Sequence, residues 1–119
     1  MKEVKAIMFK NRHQHEEIDG LPEIFPDAVD PMDFESLDKM AYHFFDTNPA
    51  AKYIIYVTGL TPATIAVIKA AIRGKAALVL MNYNRDTNAY VAYPVVSPVL
   101  EEQDQAEFGV WVPAAWNKP

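Results

Sequence analysis

The chain has 119 residues, half of them apolar and 23% charged, with a formal net charge of −5 and no cysteine. That length suits one domain able to bury roughly two thirds of its unfolded surface, and a cysteine-free chain excludes disulfides and thiolate chemistry. The acidic balance argues against wrapping duplex nucleic acid; with no signal-peptide h-region and no apolar run of spanning length, a cytoplasmic protein without membrane contact is expected.

Residues 3–9, EVKAIMF, read as a first strand. Lys10, Asn11, Arg12, His13 and His15 then concentrate basic and amide groups in an otherwise acidic chain. Residues 16–32 contain Pro22, Pro26 and Pro31 among several carboxylates, so a loop is expected there, with at most a short helix near 16–21. Asp30-Pro31 is expected to open a helix, Asp30 capping it and Pro31 first. Phe34, Leu37, Ala41, Phe44 and Phe45 share one face of that helix. It should end near Thr47, because Asn48 precedes Pro49 and is pushed out of helical geometry.

Tyr53 to Val57 form an uninterrupted apolar run, the pattern of a strand buried on both faces. Thr58, Gly59 and Leu60 end it, and Thr61-Pro62 begins a helix over 62–73, with Thr61 as cap and Gly74 as a left-handed stop. Ala63, Ala66 and Ala70 make one ridge of this helix, and Ile65, Ile68 and Ile72 make another. The alanine ridge would let the helix lie close on a sheet. The isoleucine ridge then needs other cover, from a second subunit or from the C-terminal tail. A second apolar strand follows at 76–81, completing a βαβ crossover. A turn-rich stretch at 82–88 leads to a strand over 89–96, which implies an antiparallel hairpin with Pro94 on an edge. Beyond it lie an acidic stretch at 101–107 and a tail in which Phe108, Val110 and Val112 alternate with Gly109 and Trp111. That tail, with Trp111 and Trp116 as anchors, could add a strand or clamp a neighbour. The fold class is therefore α/β: a single small Rossmann-like domain, mostly parallel, closing in an antiparallel hairpin.

In open α/β sheets ligands collect beyond the carboxyl ends of the parallel strands. Three segments are expected to meet at that rim, bringing Lys10, Asn11, Arg12, His13 and His15 together with Thr58, Gly59, Thr61, Asn82 and Arg85. The opening turn of helix 62–73 would add unpaired amides and the positive end of a helix dipole, so the expected ligand is a small anion or nucleotide. The simpler reading is that the Gly59 turn merely turns, that the histidines are solvated and that Lys10 and Arg12 pair with nearby acids. His13 and His15 lack a third ligand at a recognised spacing, so neither a metal nor a cofactor is expected. One of the two is expected as general acid or base, a role that suits the imidazole group in general, and both are therefore candidate catalytic residues. Any catalysis would then be metal-independent cleavage of a phosphodiester by a positioned ribose hydroxyl. A homo-oligomeric assembly protein without a small ligand is the alternative.

The runs YIIYVTGLTPATIAVIKAAI, AALVLMNY and AYVAYPVV, within residues 53–96, resemble the second half of small CRISPR-associated Rossmann-like proteins. Those proteins are akin to the sensor domains that bind cyclic oligoadenylates, and to ring nucleases. Gly59, Leu60 and Thr61 stand where those proteins carry Gly-Leu-Ser/Thr. The resemblance implies binding or cleavage of a cyclic oligonucleotide at a homodimer interface, in prokaryotic or phage defence.

Overall fold

A computed structural model gives the fold, and it describes residues 2–10 and 18–97. Six elements follow in order: β1 (Glu3–Ile7), α1 (Phe34–Thr47), β2 (Lys52–Tyr56), α2 (Thr61–Arg73), β3 (Ala77–Asn84) and β4 (Ala89–Val96). The strands form one sheet in the order β1-β2-β3-β4. The first three are parallel and β4 returns antiparallel along β3, with Tyr83 opposite Tyr90 and Asn84 opposite Ala89. This is the α/β class read from the sequence, and β4 with its Pro94 lies on the edge as expected.

Alternation along the strands sorts their side chains. Val4 and Ala6, Tyr53 and Ile55, and Leu78 and Leu80 join the core under the helices. Ala63, Ala66 and Ala70 of α2 are fully buried in the same core. Their small size lets the helix backbone approach the sheet, so an added side chain here would clash rather than fill space. Leu37, Ala41, Phe44 and Phe45 supply the buried face of α1. Phe45 stacks on Tyr53 at 4.0 Å, and the Tyr53 hydroxyl donates to the Asn48 carbonyl at 2.7 Å. Burial pushes the Tyr53 phenol above its ordinary pKa. Lys69 pairs with Asp38, and Arg73 reaches Asp46 at 3.1 Å while lying over the Tyr42 ring. The two helices are thus side by side on one face of the sheet.

The isoleucine ridge divides. Ile68 packs against the core, while Ile65 and Ile72 stay 51% and 54% exposed. The other face of the sheet departs from the expectation of a strand covered on both sides. There Ile7, Tyr56 and Ile18 form a small second cluster, against which Ile54, Met81, Tyr90 and Leu21 are only partly buried.

Local signals differ from expectation at three helix ends. Asp30 does not cap α1; its carboxylate accepts the Met32 N–H at 2.9 Å, an Asx-type turn. The cap is Asp33, which accepts the Ser36 N–H at 3.2 Å and the Ser36 hydroxyl at 2.7 Å. At α2, Thr61 is the first helical residue and not a cap, because the chain has already turned at Leu60. Gly74 is not left-handed, with φ −85°; Lys75 takes that role at φ 54°. The Lys75 N–H bonds to the Ile72 carbonyl at 3.1 Å and the Ala76 N–H to the Ala71 carbonyl at 3.0 Å. This is the Schellman pattern with lysine where glycine usually sits.

Candidate functional site

The carboxyl ends of the parallel strands are knitted by the backbone. Past β1, the Met8 N–H bonds to the Tyr56 carbonyl at 3.2 Å. On the other side of β1, the Ile24 N–H reaches the Ile7 carbonyl at 2.9 Å and the Phe25 N–H reaches the Met8 carbonyl at 3.0 Å. Residues 22–25 therefore run beside β1, in parallel, where only loop was expected. Phe25 is buried and stacks on Phe9 with centroids 5.3 Å apart.

This arrangement brings Glu23 to the rim, where its carboxylate accepts the Lys10 N–H at 2.7 Å. Sequence reasoning missed Glu23. The available signal was Ile24-Phe25, a short apolar pair that could buttress a strand but was masked by the surrounding prolines.

Past β2, Thr58 is fully buried. Its hydroxyl accepts the Phe9 N–H at 2.7 Å and donates to the Phe9 carbonyl at 2.9 Å. A side chain thus continues the β1–β2 pairing beyond the strands, and Thr58 serves the rim from beneath rather than facing solvent. Next come Gly59 at φ 143° and Leu60 at φ 35°, two consecutive residues in the sparsely populated positive region. Glycine tolerates this; for leucine it costs about 1–3 kcal/mol, and such strain concentrates at ligand clamps and switches. The Leu60 carbonyl receives the Thr64 N–H at 3.1 Å and the Thr64 hydroxyl at 3.3 Å. Among the described residues no side chain caps the start of α2, and no acidic residue lies in its first turn. Within its own first turn the helix therefore carries no carboxylate at the end of the dipole that attracts anions.

Past β3, the Asn82 side chain donates to the Leu80 carbonyl at 3.3 Å and is half-buried on the helix side of the sheet. β3 runs three residues beyond its last pairing with β2, so it stands above the rim as one wall. Arg85 is exposed in the turn that follows, at the tip of the hairpin and three positions past Asn82.

Of the residues expected at this rim, the structure gathers Lys10, Thr58, Gly59, Thr61 and Asn82, and it sets Arg85 farther out. Asn11, Arg12, His13 and His15 lie outside the described residues. Among the described residues no group of three His, Asp or Glu side chains is placed to hold a metal ion, and no helix is long and apolar enough to cross a membrane.

What fold and rim define together is a class: a small α/β domain with a strained, uncapped strand-to-helix turn at the carboxyl end of its central strand. No protein-family model, curated protein or solved structure matches the chain.

Proposed function

We propose that this protein binds a small anionic ligand, of nucleotide or phosphate type, at the carboxyl ends of its parallel strands. The observation that carries the reading is the Gly59–Leu60 turn, whose paired positive φ angles open α2 with no side-chain cap hydrogen bond among the described residues. Lys10 on one side and Asn82 on the other supply a cation and an amide at the same rim. The resemblance over residues 53–96 makes a cyclic oligonucleotide the first ligand to try, and His13 and His15 the first groups to replace if cleavage is found.

A thermal shift against mononucleotides, inorganic phosphate and cyclic oligoadenylates tests the proposal. A ligand at a hundredfold its Kd stabilises the native state by about 2.7 kcal/mol, and Lys10→Ala combined with Asn82→Ala should abolish the shift. If none of these anions moves the transition, the reading is lost.

The second reading, assembly without a small ligand, is favoured by a different observation. Phe34, Ile65 and Ile72 are 54%, 51% and 54% exposed on the helical side, and Met32, just before α1, is 71% exposed. Phe34 and Ile65 line a shallow groove of about 220 Å³ with Pro62, Asp38 and Lys69. This surface suits association between copies of the chain.

A further inference from the structure

The face of the sheet opposite the helices is ordered in transverse rows by the strand registers. One row runs Lys5, Ile54, Val79, Pro94 across all four strands. The next runs Ile7, Tyr56, Met81, Ala92, and this one is sheltered at the β1–β2 side by Ile18 and Leu21. The first row has no such shelter among the described residues. Lys5 and Pro94 are exposed, Ile54 and Val79 half-buried, and Val79 belongs to neither core cluster. At its margin stand Lys5 and Lys52, the latter only 3.8 Å from Glu3 and 41% exposed. An apolar strip bordered by Lys5 and by the Lys52–Glu3 pair therefore lies on the lower half of this face.

We infer that residues 98–112 of the same chain return over this face, with Phe108, Val110 and Val112 against the Ile54–Val79–Pro94 strip and the acidic stretch 101–107 beside Lys5 and Lys52. Three observations carry this. β4 ends at Val96, which pairs with Leu78, so the chain leaves the sheet one residue from Val79 and next to the uncovered row. Eleven residues, 97–107, separate Val96 from Phe108. They reach up to about 36 Å when extended, against roughly 14 Å across four strands, so the return is sterically easy. The returning segment carries Phe108, Val110 and Val112 at every second position, so an extended chain presents all three on one side, with Gly109 and Trp111 on the other. The acids that precede it, Glu101, Glu102, Asp104 and Glu107, are opposite in charge to Lys5, which they would pass.

Because the chain has no cysteine, introduced pairs are the only thiols present. Full-length protein carrying Val79→Cys with Val110→Cys should form an intramolecular disulfide under mild oxidation, with yield independent of protein concentration. The control pair Ile65→Cys with Val110→Cys, on the helical side, should not. Hydrogen exchange on the unaltered full-length chain supplies a second readout, in which amides 108–112 exchange at least roughly tenfold slower than free peptide. Val79→Asp should remove that protection.

A disulfide that forms only between chains, with yield rising with concentration, would assign the strip to a second copy and overturn the inference. Free-peptide exchange at 108–112 would overturn it equally. Neither result bears on the anion rim, which is at the other end of the strands.

Discussion

The Thr58 hydroxyl holds both backbone groups of Phe9, 49 residues away, accepting its N–H at 2.7 Å and donating to its carbonyl at 2.9 Å. The ends of β1 and β2 are thereby fixed to one another at the point where each chain leaves the sheet. Thr58→Val keeps the shape of the side chain and removes the hydroxyl, and with it both of these buried hydrogen bonds. A loss of about 2–3 kcal/mol is expected, read as a lower denaturation midpoint with an unchanged m-value.

Lys75 carries a left-handed backbone that its side chain disfavours by about 1–2 kcal/mol. Lys75→Gly should therefore raise stability, by about 1 kcal/mol after allowing for the greater freedom of glycine in the unfolded chain. Gly74→Ala is the contrast. Its φ of −85° is ordinary, and an added Cβ would meet the Ala70 carbonyl oxygen at 3.4 Å, so little change is expected. Urea titration of both variants separates the two positions.

Glu23 places a negative charge where an anionic ligand is proposed, and it already occupies the Lys10 amide. Glu23→Gln keeps an acceptor oxygen for that amide and removes the charge. Tighter binding is expected for any anion bound at the rim, and the difference should shrink as salt screens it. Isothermal titration at low and high ionic strength reads both effects. Equal or weaker affinity in the variant would place the ligand away from Glu23.

The Asp33 cap makes the start of α1 sensitive to acid. Ser36, through its hydroxyl and its amide, holds the Asp33 carboxyl below its ordinary value of 3.8. A depressed native pKa contributes stability that is present above 3.8 and lost as pH falls through the lower native value. Asp33→Asn retains a capping oxygen without the titration. The wild-type protein should therefore lose stability relative to Asp33→Asn as the pH drops below about 3.8, measured by thermal melts across that range.

Ile65 and Ile72 are the exposed members of the isoleucine ridge, and they test the assembly reading. Ile65→Lys with Ile72→Lys should leave the melting transition nearly unchanged, since surface substitutions alter stability by about 0.5 kcal/mol or less. If copies of the chain meet through this ridge, light scattering will show a smaller species for the double variant. Ile68 is unsuitable for the purpose, because it packs against the core and its replacement would disturb the monomer.

The βαβ unit and the terminal hairpin were legible because several local signals agreed: an apolar run, a Pro near a helix start, a Gly near its end and a turn-rich break. Where two residues of the same type competed, the choice was not local. Asp30 and Asp33 both precede helix formers, and the one that caps is decided by which has Ser36 three residues on. The role of Thr58 could not be read from its neighbours, because its partner Phe9 is set by strand register. Glu23 reached the rim for the same reason. Residues 22–25 form no repeating pattern of their own and pair only because β1 presents a free edge.

Each lateral margin of the sheet is obstructed over part of its length. Residues 22–25 occupy the upper side of β1, while β4 carries Pro94 and a register irregularity opposite Leu78 and Val79. A proline on a border strand, together with a kinked ladder, discourages a neighbouring molecule from annealing there. Strand-by-strand growth into ribbons is therefore disfavoured from both directions, and a concentrated solution should resist fibril formation even though its outermost strand is long and rich in tyrosine and valine.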